Sequence, residues 1–237
     1  MNNLTQLHFL TLSSNQFTGR LLENICLSGL LQNWSAFDNH FTGPIPYSLK
    51  NCTILFRVRL DQNHLTGNIA KDFGIYPNLD YIDMSYNNLY GQISTNWGHC
   101  HNLKSLKIAN NNISRRIPLE LGEAIQLHFL HLSSNHLDGE IPKELGKLTF
   151  LVELYLNNNK LSQNISYNFG MLSNLERLNL VGNTLNGLIP ELGNCQKLWY
   201  LNLSNNYLNE RIPFQFGYLH SLYYLDLSQN NLTRDIP

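Results

Sequence analysis

Two arginines one residue apart, Arg57-Val58-Arg59, stand out as side chains whose type and spacing could do specific chemistry. In a β-strand, positions i and i+2 share a face and lie about 6.6 Å apart. Two planar guanidinium forks held that way can converge on one carboxylate, each donating charge-assisted hydrogen bonds. The same face offers them another use. Asp61 follows on the same strand face, Asp83 would stand beside Arg59 on the next strand, and Lys107 would follow Asp83. Arg59–Asp83–Lys107 would then be an alternating cross-strand ladder, each pair contributing little to stability. Both readings stay open.

Tyr81, Asp83, Lys107, Phe129 and His131 fall at positions of the same kind and are candidate ligand contacts. Trp199, Tyr200, Tyr223 and Tyr224 form an aromatic group of the sort that anchors interfaces, or else pair across strands and stiffen a sheet. His128 and His131 are three residues apart and do not share a strand face, and no Cys, Asp or Glu completes a ligand set around them, so no metal site is expected. His131 could make the face pH-sensitive near histidine's ordinary pKa of about 6.5. There is no phosphate-binding glycine loop, kinase signature or nucleophile elbow, so no catalytic residue and no cofactor are assigned.

These side chains are placed by a repeat. Asparagine recurs at 15, 39, 63, 87, 111, 135, 159, 183, 206 and 230, in steps of 24 residues seven times, then 23, then 24. Around each runs a phrase such as Leu127-His128-Phe129-Leu130-His131-Leu132-Ser133-Ser134-Asn135-His136-Leu137. A fixed period of this size predicts a stacked solenoid. Leu130 and Leu132 should point inward from a short strand while Phe129, His131 and Ser133 point out. Each asparagine should satisfy turn backbone that burial would otherwise leave unpaired.

The repeats continue as Leu137-Asp138-Gly139-Glu140-Ile141-Pro142, with the isoleucine expected to anchor a short second strand. A helical or 3₁₀ return such as Lys143–Leu148 then leads to the next coil. Arg115, Gln163, Glu210 and Arg234 replace the glycine in four coils, which should be slightly irregular rather than broken. The one-residue deletion falls near Pro190-Glu191-Leu192, in the convex return.

The full phrase, Leu-x-x-Leu-x-Leu-x-x-Asn-x-Leu-x-Gly-x-Ile-Pro, resembles the plant-specific class of leucine-rich repeats over the whole chain. That class is found in receptor-like kinases, receptor-like proteins and polygalacturonase-inhibiting proteins. The resemblance implies an α/β solenoid, a right-handed superhelix of about ten 24-residue coils with a parallel concave sheet, as one unit over residues 1–237. Arg57-Val58-Arg59 resembles the Arg-x-Arg motif of HAESA-type peptide-hormone receptor kinases, and the phrase Asn51–Asn63 around it is similar to MALE DISCOVERER-interacting receptor-like kinases.

The resemblance makes Arg57 and Arg59 ligands for the free C-terminal carboxylate of a secreted peptide. It makes Trp199, Tyr200, Tyr223 and Tyr224 contacts for a shorter co-receptor kinase of the same repeat type. It also implies a place on the extracellular face of the plasma membrane, with any kinase domain in other parts of a parent receptor. A secreted inhibitor of a cell-wall-degrading enzyme, or a truncated duplicate without function, are the alternatives. The inhibitor family would show paired cysteines at both ends, which this chain lacks.

Composition agrees with a binding module. A net charge of −1 gives no electrostatic footprint for nucleic acid, and no apolar run is long enough to span a membrane. Met1–Leu7 already reads as repeat and Ile236-Pro237 lies within another, so an internal segment of a larger ectodomain or a truncated product is expected, with apolar coil ends prone to associate or fray.

Glycosylation sequons stand at Asn3, Asn33, Asn51, Asn112, Asn164, Asn202 and Asn231, a mild excess over the roughly four expected by chance. Asn33 and Asn202 should point outward from the strands, where a glycan would obstruct the face. Asn51, Asn164, Asn112 and Asn231 are the preferred acceptors. Cys52, Cys100 and Cys195 replace leucines of the return; Cys26 and Cys52, almost one coil apart, could pair across neighbouring turns or stay free.

Overall fold

The computed structural model describes residue 4 and residues 6–237; the sequon at Asn3 lies outside them. Each coil begins with a three-residue strand whose middle residue is apolar and points inward. The ten strands, from Phe9–Thr11 through Arg57–Arg59 to Tyr224–Asp226, form one parallel sheet in chain order. Register is exact from coil to coil: Arg57 lies beside Tyr81 and Asn33, Arg59 beside Asp83 and Ser35, Asp83 beside Lys107. The inward column Val58, Ile82, Leu106, Leu130, Leu154, Leu178 and Leu201 is fully buried.

The ladder asparagine turns the chain out of this sheet. Asn63 Nδ2 donates to Leu60 O and Asp61 O in its own coil and to Ala36 O in the previous one, while its Oδ1 accepts from Phe41 N. Asn87, Asn111, Asn135 and Asn159 repeat the pattern. The residue before each asparagine sits in the left-handed region, as at Gln62 (φ 55°), Tyr86 (57°) and Asn110 (54°). A turn this tight leaves backbone carbonyls facing inward, and the amide supplies their donors.

A second ten-stranded parallel sheet follows, running from Thr18–Arg20 to Asn231–Leu232. Its inward anchor is the leucine after the asparagine, such as Leu65, Leu89 or Leu161. The isoleucine expected to anchor this strand is buried just beyond it in most coils: Ile93 follows a strand that ends at Gly91. The four coils without glycine keep the glycine conformation, with φ of 72° at Arg115, 68° at Gln163, 64° at Glu210 and 73° at Arg234. Among the described residues, six convex returns carry a 3₁₀ turn, such as Lys143–Lys147, and one carries the α-helical turn Ile69–Asp72. The shortened coil has no such turn between Ile189 and Leu198, where the missing residue is absorbed.

Candidate functional site: the concave face

The concave sheet brings Arg57, Arg59, Tyr81, Asp83 and Lys107 onto adjacent strands, but not as an ion-pair ladder. Arg59 folds along its own strand: Nε donates to Asp61 Oδ1 at 3.1 Å and Nη2 to Asp61 Oδ2 at 3.0 Å. Its guanidinium also covers the Phe37 ring, 3.7 Å from the centroid. Burial opposes the Arg59 charge, but the hydrogen bond and charge of Asp61 outweigh it, with Tyr81 and Asp83 assisting, so its pKa is raised.

Asp83 accepts instead from Tyr81 Oη (3.2 Å) and Ser85 N (3.0 Å). Burial, then the nearby Asp61 charge, pushes the Asp83 carboxyl above its ordinary range, against the Ser85 bonds and Lys107. Lys107 Nζ makes no ion pair among the described residues. It lies 5.8 Å from the Tyr81 ring and 5.7 Å from Phe129, bridging two aromatic faces. Of the two open readings, the Arg59–Asp83–Lys107 ladder does not form as ion pairs: Arg59 forks onto Asp61 and Lys107 sits between two aromatic rings. Asp83, though nearer across the sheet, is already held by Tyr81 and Ser85, whereas Asp61 offers both oxygens to the Arg59 fork, and bidentate pairs are the stronger ones.

Arg57 differs. Its guanidinium stacks over Tyr81, 4.0 Å from the ring centroid, and no carboxylate is in ion-pair range among the described residues. Burial, then the Asp83 charge, drives the Tyr81 hydroxyl up to about 12, so the ring stays neutral beneath the cation.

Further along, the candidate His131 belongs to a second cluster, whose Glu153, Tyr155 and Arg177 carry no motif in the sequence. Glu153 Oε2 accepts from His131 Nε2 at 2.9 Å and Glu153 Oε1 from Arg177 Nη1 at 3.0 Å. His131 stacks on Tyr155 with centroids 4.5 Å apart, and Arg177 covers Trp199 at 4.5 Å. An ionised carboxylate only accepts, so His131 carries its proton on Nε2. Burial, then Lys107, lowers the His131 pKa against the pull of Glu153, and Arg177 helps lower it. The expected pH response near 6.5 is thereby corrected: this imidazole is held neutral. The signal was legible only in columns, since Glu153, Tyr155 and Arg177 occupy the strand positions of Arg57 and Arg59. His128 lies just before its strand, with Nδ1 2.7 Å from Gln126 O.

At the far end Tyr200 and Tyr224 stack face to face, 4.6 Å apart, and Trp199 meets Tyr200 edge-on. Tyr223 is 88% exposed. Among the sequons, Asn51, Asn112, Asn164 and Asn231 are exposed. Asn202 stands in the expected outward column of its strand, beside Asn179 and Asp226, but is buried there, its Oδ1 accepting from Ser204 N and Ser204 Oγ. Cys26 and Cys52 form a disulfide with Cα atoms 5.3 Å apart, whereas Cys100 and Cys195 are free and buried. Disulfides persist in oxidising compartments. No helix among the described residues is long and apolar enough to cross a membrane.

A family profile described as Leucine Rich Repeat matches residues 6–28, 78–100, 102–124, 126–148, 150–172, 174–195, 197–219 and 221–237. No curated protein matches the chain. Among solved structures, the Arabidopsis HAESA ectodomain in complex with an N-terminally extended IDA peptide hormone is 37% identical at a TM-score of 0.94 over 98% of this chain and 39% of its own. The PEPR1–AtPEP1 complex is 30% identical at 0.92, over 98% of this chain and 33% of its own. Arabidopsis HAESA with IDA and the co-receptor SERK1 matches at 29% identity and 0.62, over 98% of this chain and 47% of its own. The chain thus spans less than half the length of these relatives. With repeats matched over most of its length, it belongs to the leucine-rich repeat family and is structurally similar to plant receptor kinase ectodomains.

Proposed function

We propose that this chain is a ligand-recognition segment of a plant cell-surface receptor, which binds a secreted peptide on its concave face and meets a shorter leucine-rich-repeat co-receptor near Trp199, Tyr200, Tyr223 and Tyr224. The observation that carries the reading is Arg57, a cation without a carboxylate partner, mounted on a neutral aromatic ring. A peptide C-terminal carboxylate is the ligand chemistry that fits it. Arg59 stands beside it with its fork already filled by Asp61, so it reaches a ligand carboxylate only by giving up that pair. Tyr81, Lys107 and Phe129 extend the floor, while Asp83 and His131 are engaged within it. The HAESA structures hold the IDA peptide hormone, and one of them also holds the co-receptor SERK1, which supports this kind of partner.

Calorimetry with secreted-type peptides, each as free acid and as C-terminal amide, tests the reading. Amidation and Arg57→Ala should each weaken binding at least tenfold, about 1.4 kcal/mol, and the two losses should not add. Binding indifferent to both would remove the carboxylate role.

A further inference from the structure

Asn51, Cys52 and Thr53 form a sequon whose middle residue is the disulfide partner of Cys26. We propose that Asn51 is a conditional N-glycosylation site, occupied only in chains that receive the glycan before Cys26 and Cys52 close. The inference rests on the cell-surface reading above, since both modifications belong to the secretory route.

The geometry gives the order. Asn51 is exposed at the end of the 3₁₀ turn Tyr47–Asn51, whereas Cys52 is wholly buried. Cys52 is pinned on three sides: its N–H donates to Leu49 O at 3.0 Å, its carbonyl accepts from Leu55 N at 3.1 Å, and its sulfur is bonded to Cys26. A transferase must draw the sequon out as an extended strand, with residue 52 passing through its site. The other exposed sequons are held only by non-covalent contacts that open and reclose. Here the middle residue is held by a covalent bond.

Timing makes the competition real. Cys26 precedes Cys52 by 26 residues and is already present when the sequon emerges. Synthesis at about 5–20 residues per second makes that spacing in a few seconds, and disulfides form over seconds or longer. The two events therefore overlap. Glycan transfer joins Asn51 Nδ2 to C1 of the first sugar, breaks the C1–O bond to a polyprenyl pyrophosphate donor, and releases that pyrophosphate and one amide proton. Closure removes two electrons and two protons from the Cys26 and Cys52 thiols, which pass to a disulfide-bearing oxidant. The block runs one way. Asn51 borders an open hollow of about 720 Å³ lined also by Arg20, Cys26 and Tyr47, so a glycan stem has room and the thiols can still pair after transfer.

The test is to secrete the chain from plant cells behind a cleavable leader. Occupancy at Asn51 is read by glycopeptide mass spectrometry against Asn164 in the same molecules. Cys26→Ser leaves the sequon intact and removes only the competing bond. The Asn51-to-Asn164 occupancy ratio should rise at least twofold in Cys26→Ser. Brief dithiothreitol treatment of the cells should raise it equally in the parent and not further in the variant. Referring to Asn164 cancels any general gain from slower folding, and Cys52→Ser, which keeps a valid sequon, should behave like Cys26→Ser. An unchanged ratio in both variants would overturn the inference while leaving the cell-surface reading standing. Empty Asn51, Asn112 and Asn164 alike would overturn both.

Discussion

At the scale of single residues, two adjacent arginines differ in what they have left to give. Arg59 has both arms of its fork on Asp61, and Arg57 has none on any carboxylate among the described residues. A ligand anion thus meets one free cation and one neutralised pair. Asp61→Asn should return Arg59 to the ligand and strengthen carboxylate binding several-fold, with Arg59→Ala in the parent costing less than Arg57→Ala; calorimetry on the four proteins decides it, and a weaker-binding Asp61→Asn would show that Asp61 orients Arg59 for the ligand. His131 gives a second test. Its folded pKa lies below the unfolded value of about 6.5, so between those values the unfolded chain binds more protons. Stability should fall as pH drops below about 6.5, and His131→Asn should flatten that slope in pH-dependent denaturation. The sequence placed both arginines and both aspartates on one face correctly. It did not say which aspartate Arg59 would take, because side-chain torsion decides that. It also passed over Glu153 and Arg177, which lie 24 residues apart and meet only when coils stack in register.

Elements show why the period was so readable. The leucine columns and asparagine ladder do the same job in every coil, so each repeat restates the same physical constraint. Asn111 closes two carbonyls of its own coil, one of the previous coil, and the N–H of Leu89. Met84 O, Ile108 O and Ala109 O keep bonds from Asn87 Nδ2, Asn135 Nδ2 and Tyr86 N, so Asn111→Ala strands the Leu89 N–H alone. It should cost about 1–3 kcal/mol, the range for one buried unpaired backbone group; urea denaturation would read this, and a loss below about 0.5 kcal/mol would mean water replaces the amide. The second strand was less legible, because the pattern shows where leucine and isoleucine recur but not where pairing stops. Its strained positions do follow from sequence. Gln163 holds a φ of 68° where sister coils carry glycine. A side chain in that region costs about 1–2 kcal/mol, and glycine's extra chain entropy returns roughly 0.5–1 of it. Gln163→Gly should then raise stability by up to about 1.5 kcal/mol, and a measured loss would show that the Gln163 side chain contributes contacts exceeding the strain.

Across the whole molecule, the stacking that builds the concave face also sets how damage spreads. Each coil touches only its neighbours, so stability is a sum of coil and interface terms rather than the property of one central core. Leu130 occupies an inward strand position and is wholly buried. Leu130 packs with a coil on each side, through strands Ser105–Lys107 and Glu153–Tyr155. Leu130→Ala should cost about 2–5 kcal/mol, the range for a buried leucine whose cavity cannot collapse. Hydrogen exchange should show more than the totals. With Leu130→Ala, protection should fall most in the coil of Asn135 and decay over the coils of Asn111 and Asn159, leaving the Arg57–Tyr81 region nearly unchanged. A uniform loss of protection along the chain after Leu130→Ala would mean that the solenoid unfolds as one unit. Binding at Arg57 would then depend on packing far along the sheet, rather than on its own coil and those beside it.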